Sequence, residues 1–285
     1  MVGPVPQSSV ISIGAACLCG VIIPIALYIY FKVRHKADTF PFVMGCLVFF
    51  VFVMILESSI NNAVFTSSAG DFLRNNAFLY ALYGGVMAAL FEETGRFLML
   101  RLVKKKKGPR DVNSLMYGAG HGGFEALMLL GVSMFGNLSY AAAINSGRIE
   151  EITNTLSGDT LDQLISTLNV LVETPSYTYL FSIAERIFAV ALQISLSVLV
   201  WFAVSGKGKG YLLAIAYGIH AAVDFFTALM SGLGVPVPAI EAVLGVMTVL
   251  VCIFAKKIWR SEHIPEPDEE EAPRSPYRKP DAPTL

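Results

Sequence analysis

The chain has 285 residues, 54% hydrophobic and only 15% charged, with a mean hydropathy of +0.60 and a net charge of −1. Soluble globular domains carry about 25% charged residues, so the deficit excludes that class and indicates an all-α, polytopic membrane protein. The balanced charge, with no basic patch interleaved with aromatics, excludes a nucleic-acid partner.

Spanning helices need about 20 apolar residues to cross about 30 Å of hydrocarbon. Seven runs fit, at roughly 10–31, 40–56, 77–103, 114–135, 179–204, 211–230 and 237–255. The N-terminus lacks a basic region and a small-residue cleavage site, so the first run is expected to stay in place. Lys and Arg gather at alternate ends of the runs. One set of ends holds Lys32, Arg34, Lys36, Arg101, Lys104 to Lys107, Arg110, Lys207, Lys209, Lys256, Lys257 and Arg260; the other holds only Arg74 and Arg148. By the positive-inside rule the N-terminus is outside, the C-terminus cytoplasmic and the location a cell membrane.

Two segments lie outside the runs. The outer loop 136–177 contains Leu161, Leu164, Ile165, Leu168, Leu171 and Val172 on one helical face, after a cap expected in Ser157-Gly158-Asp159. An amphipathic helix is expected there, either packed on the bundle or acting as a lid. A membrane domain of residues 1–260 is followed by a tail, 261–285, rich in proline and carrying the acidic run 268–271. That composition predicts disorder. Cys17, Cys19, Cys46 and Cys252 show neither metal spacing nor a disulfide framework, and are expected as free, buried thiols.

The informative residues are ionisable groups inside apolar runs, where each charge costs about 2.5–3.5 kcal/mol on insertion scales. The third run carries Glu92, Glu93 and Arg96 within Phe91–Phe97. His121 and Glu125 lie in the fourth run, Glu185 and Arg186 in the fifth, and His220 and Asp224 in the sixth. Glu57 is the nearest exception elsewhere. At 1.5 Å per residue, the groups of runs three, four and six converge about 10–20 Å from the Lys-rich ends, with Glu185 and Arg186 nearer the other face. His121 and Glu125, His220 and Asp224, and Glu92 and Arg96 are each four residues apart, so each pair shares a face. Gly118, Gly120, Gly122, Gly123 and Gly131 permit close helix approach and leave room for water or a substrate backbone.

Histidines and carboxylates around a water-holding cavity suit hydrolysis by activated water. A glutamate takes the proton, histidines donate to the oxyanion, and Arg96 holds the second glutamate. Zinc held by His121, His220 and Glu92 or Glu93 is the other form of the same chemistry. A proton-coupled transporter also keeps such groups at mid-depth, but no paired repeat with broken helices is present.

Acid-acid-x-x-Arg, Tyr117-x-x-x-His121 and His220-x-x-x-Asp224 together resemble the CPBP superfamily of intramembrane proteases, which includes the CAAX-prenyl endopeptidases. The phrase Gly120-His121-Gly122-Gly123-Phe124-Glu125-Ala126 and the seven-run layout are most similar to the YhfC family of bacterial membrane peptidases. The layout also resembles the anterior-pharynx-defective subunit of γ-secretase, a non-catalytic scaffold without the paired carboxylates found here. The resemblance spans roughly residues 77–226 and implies an intramembrane endopeptidase acting on a membrane-associated protein or peptide. It implies a glutamate of the Glu92-Glu93 pair as base, with His121 and His220 positioning the water and the oxyanion, and Asp224 in the place of the family's Asn or Asp. Glu125, Glu185 and Arg186 are supporting residues outside the shared pattern. The superfamily places three residues between its second glutamate and the arginine; here only Thr94 and Gly95 intervene. Aligned on the first carboxylate, Glu92 is the base; aligned on Arg96, Glu92 is the arginine-paired residue. Both stand as candidates. A metal-independent mechanism is preferred to zinc.

Overall fold

The computed structural model describes residues 3–206 and 208–263. Lys207 and residues 264–285, which include most of the expected tail, lie outside the described residues. Helix α1 (Gln7–Arg34) is followed by a rod, Thr39–Phe65, made of α2 (Thr39–Val48), a π-helical stretch (Phe49–Glu57) and α3 (Ser58–Phe65). Short α4 (Ser68–Arg74) precedes α5 (Ala77–Lys107). The next rod, Val112–Asn145, joins α6 (Val112–Ala126), a second π-helical stretch (Leu127–Val132) and α7 (Ser133–Asn145). Then come α8 (Ile149–Thr153), α9 (Asp159–Glu173), α10 (Ser176–Ser205), α11 (Tyr211–Gly232) and α12 (Val237–Glu262). No strand occurs among the described residues.

The protein is a multi-pass, all-helical membrane protein. Hydrocarbon offers no hydrogen bonds, so an apolar run must satisfy its backbone within itself, as a helix does. Among the described residues, six rods are long and apolar enough to cross a membrane. The remaining long helix, α5, has 31 residues and falls outside that set because of the charges in its middle. Prolines mark several starts: Pro6, Pro175 and Pro236 directly precede α1, α10 and α12, where a fixed φ suits entry into a helix.

Helix ends depart from the expected limits. The fourth rod continues to Asn145, well into the segment 136–177 expected as loop. Its last residue explains the extension: the Asn145 side chain accepts from the Val5 amide at 2.8 Å and donates to the Val5 carbonyl at 3.0 Å, tying the rod to the chain before α1. Within the same segment, α9 buries Leu168 and Leu171 against Ile13, Ala141 and Tyr179. Its cap is not the expected one. Gly158 holds the capping position at φ 59°, with no side-chain hydrogen bond from Ser157 or Asp159. Ser261 and Glu262, expected in the tail, end α12. The four cysteines are free and half-buried.

Helix α10 is the axis of the bundle. In its most apolar window 61% of residues are buried, against 22–28% for the other spans, whose outer faces remain apolar and exposed. It packs against α1, α5, α6, α11 and α12. The glycines of α6 serve backbone contact rather than open space. A Cβ on Gly120 would lie 2.1 Å from the Phe42 carbonyl oxygen, and one on Gly45 would lie 2.3 Å from the Tyr117 carbonyl oxygen. The room expected there for water or substrate is filled by α2 at Gly120, by α10 at Gly118 and Gly122, and by α1 at Gly123 and Gly131, because glycine lets helices meet so closely. Gly120→Ala is expected to push α2 from α6 and destabilise the protein by about 1–3 kcal/mol. A thermal melt in detergent reads this, and an unchanged midpoint would refute the close approach.

Candidate functional site

Four helices carry the buried ionisable groups to one place, and adjacent residues on α5 diverge there. Glu93 turns inward, with no exposed surface. Its Oε1 accepts from Arg96 Nη1 at 2.7 Å and from His220 Nδ1 at 2.7 Å. A carboxylate only accepts, so His220 carries its hydrogen on Nδ1 toward Glu93. That leaves His220 Nε2 facing Asp224 Oδ2 at 3.4 Å and Glu92 Oε2 at 3.8 Å. Glu92 Oε2 receives His121 Nε2 at 2.9 Å and Gln193 Nε2 at 2.8 Å. Its Oε1 has no protein partner among the described residues. On the ring's other side, His121 Nδ1 and the Tyr117 hydroxyl are buried and unpaired, with the two rings 6.2 Å apart.

Gln193 on α10 joins the two halves of the site, and sequence reading missed it. Its Oε1 accepts from Arg96 Nη2. Arginine has no acceptor, so this bond fixes the amide, with the NH₂ turned to Glu92 and, at 3.0 Å, to Glu125 Oε2. Glu125 Oε1 takes Arg186 Nη1 at 2.6 Å, and Arg186 Nη2 reaches Glu185. The signal for Gln193 was available: a lone amide in an apolar run, seven residues from Arg186 and so on the same helical face.

Two cavities meet at Glu92 and Glu125. One, of about 520 Å³, is lined also by Glu185, Arg186, His220, Asp224 and Glu241, and extends to the start of α10 and α12. The other, of about 410 Å³, lies between the two π-helical stretches, lined by Phe49, Val53, Glu57, Met128 and Leu129. Glu92 borders both, and Glu93 borders neither. Glu241 is a second residue that sequence reading passed over.

All nine residues expected at the site converge. Of the two glutamates in reach, Arg96 pairs with Glu93, three residues away on its own helix. His121 bonds Glu92 across helices rather than Glu125 on its own helix. A side chain in a packed bundle takes the nearest suitable group on any helix, so for His121 the interhelical contact wins. The expected zinc set of His121, His220 and a glutamate also changes. Ligand atoms of Glu92, His121 and Glu125 lie within 4.8 Å of one another, and His220 is outside that group. Two carboxylates and an imidazole are a donor set that zinc accepts. Loading an ion would displace the His121 Nε2 proton now shared with Glu92.

A polytopic helical bundle that buries a His–carboxylate cluster beside two cavities defines a class of intramembrane site. Comparison with known proteins narrows it: residues 19–245 match the YhfC intramembrane metalloprotease family model. The chain is also 34% identical, over 251 residues, to the Bacillus subtilis (strain 168) protein named "Uncharacterized membrane protein YhfC", covering 81% of this chain and 95% of that one. The chain belongs to the YhfC family. No solved structure matches it. Sequence alone favours a metal-free mechanism; the family's description names a metal, and the Glu92–His121–Glu125 donor set agrees with that description.

Gln193→Leu removes the shared partner of Arg96, Glu92 and Glu125. Stranding those buried groups is expected to lower stability by about 1–3 kcal/mol, measured as a drop in the thermal midpoint in detergent. An unaltered midpoint would mean the amide does not join the network.

Proposed function

We propose that this protein is an intramembrane endopeptidase that hydrolyses a peptide bond of a membrane-associated substrate with water activated at Glu92. The observation that carries this reading is that Glu92, of two adjacent glutamates, is the one bordering both cavities. Glu92, His121 and Glu125 are the residues that would hold a zinc ion. When bound, the metal polarises the scissile carbonyl and makes its water more acidic.

The chain's own groups divide the remaining work. Once His121 Nε2 gives up its proton, Gln193 still holds Glu92 Oε2, which leaves Oε1 to take the proton of the attacking water and return it to the departing amine nitrogen. His220, anchored at Nδ1 by Glu93, acts as the doubly protonated imidazolium, whose Nε2–H, flanked by Asp224 and Glu92, donates to the oxyanion that forms on the carbonyl oxygen. Arg96 holds Glu93 and Gln193, and so orients His220 and Glu92 without meeting the substrate.

The topology belongs to the same reading. With α5 as a seventh span, the Lys- and Arg-rich ends share one side, which sets the N-terminus outside, the C-terminus in the cytoplasm and the protein in the cell membrane.

Glu92→Gln is expected to abolish cleavage, by at least about 100-fold, and to strip the metal. Glu93→Gln is expected to keep the metal and to slow cleavage about 10–100-fold through His220. Quantitative proteomics of membrane fractions from wild-type and Glu92→Gln cells reads the activity, and elemental analysis of the purified proteins reads the zinc. Full activity in Glu92→Gln overturns the assignment, and zinc retained after Glu92→Gln and His121→Ala overturns the ligand set. For topology, Ser157→Cys, with the four native cysteines replaced by serine, is expected to react with an impermeant thiol reagent on intact cells. Reaction only after lysis would reverse the orientation.

A further inference from the structure

The larger cavity continues past Glu92 to a carboxylate that no other charge in the site neutralises. Glu241 lies one turn into α12, on the inward stripe that continues through Leu244, Thr248, Val251 and Ala255. It is 8% exposed, and its Oε2 is sealed without a hydrogen-bond partner. Its other oxygen also has no partner among the described residues, and the residue lines the cavity wall. The cation nearby, Arg186, is committed to Glu125 and Glu185. Elsewhere in the cavity, Asp224 faces His220, and Glu92 holds His121 and Gln193.

A buried carboxylate without a cation is unfavourable, so the surroundings indicate what completes it. No His, Cys, Asp or Glu cluster of metal-binding geometry includes Glu241 among the described residues, which argues against a second ion. Ser182 and Ser231 add hydroxyl acceptors to the wall, while Val237, Ile240 and Leu244 make its apolar side. A long aliphatic stem ending in a multi-donor cation matches that surface.

We propose that Glu241 is a specificity residue that binds a lysine or arginine side chain of the substrate, in the cavity whose inner end carries Glu92 and His220. The proposal rests on the peptidase reading, and it names the side chain that the substrate offers next to its cleaved bond. The cation enters as the partner missing from Glu241, and the peptide backbone runs from there toward Glu92.

The test uses apolar peptides, acetylated and amidated at their ends so that the side chain is the sole charge, carrying one lysine, norleucine or glutamate. Binding is measured to the full-length Glu92→Gln protein in detergent, so that no peptide is consumed. The lysine peptide is expected to bind at least about tenfold more tightly than the norleucine one, and the preference is expected to vanish when Glu241→Gln is added. Equal binding of the lysine and norleucine peptides overturns the proposal whether or not the Glu241 variant folds, and so does a lysine preference that survives Glu241→Gln. The two readings fail separately. Hydrolysis by wild-type protein at equal rates for both peptides removes the subsite and keeps the peptidase. Glu241-dependent lysine binding without hydrolysis of any peptide keeps the subsite and removes the peptidase.

Discussion

The structure depends on how a guanidinium is held where there is no water. Arg96 has no exposed surface, and one unpaired charge at such a position would be prohibitive. Glu93 answers the charge and Gln193 fills the second nitrogen. Those two commitments propagate. Through Glu93 the position of His220 on α11 is set; through Gln193, the carboxylates of α5 and α6 are set. Arg186 closes the chain from the far side of Glu125. The result is a polar network that joins α5, α6, α10 and α11, with every link charge-assisted. A network of this kind specifies one arrangement of helices in a medium where apolar contact between helices is worth little more than contact with lipid.

Much of this was legible in the sequence, because the membrane makes charges conspicuous. Glu92, Glu93, Arg96, His121, Glu125, Glu185, Arg186, His220 and Asp224 stand out from apolar runs and do come together. What stayed hidden has physical causes. Gln193 is neutral, so it does not stand out from an apolar run as an ionisable group does. Glu241 sits near the start of its helix, where a carboxylate looks like an interfacial residue until the inward stripe of α12 is known. The glycines of α6 indicate closeness but not its occupant: α1, α2 and α10 fill what looked like room for substrate. Helical spacing says which residues share a face, and it carries Arg96 to Glu93; for His121 the bond is decided by the neighbouring helix. The π-helical stretches carry no composition signal in their apolar residues, and they emerge only with tertiary packing.

Those two stretches matter for access. Glu57 closes one of them and Phe49 opens it, and Phe49 also meets the edge of the His121 ring at 5.6 Å. The second begins two residues after Glu125. An extra residue per turn shifts the side chains that follow, and here the shifted segments face each other across the smaller cavity. Glu92 and Glu125 are thus reached from two directions, one between π-helical walls and one from the ends of α10, α11 and α12.

The charges within α5 also bear on how the protein is made. Ribosomes deliver α5 to the membrane well before its partners: Gln193 lies 97 residues beyond Arg96, and His220 lies 127 beyond Glu93. For that interval the helix has no Gln193 and no His220 to meet its buried groups, and a segment so charged partitions poorly into lipid on its own. Within α5 only the Arg96–Glu93 pair is available, so full satisfaction of its buried charges requires α10 and α11 to be in place.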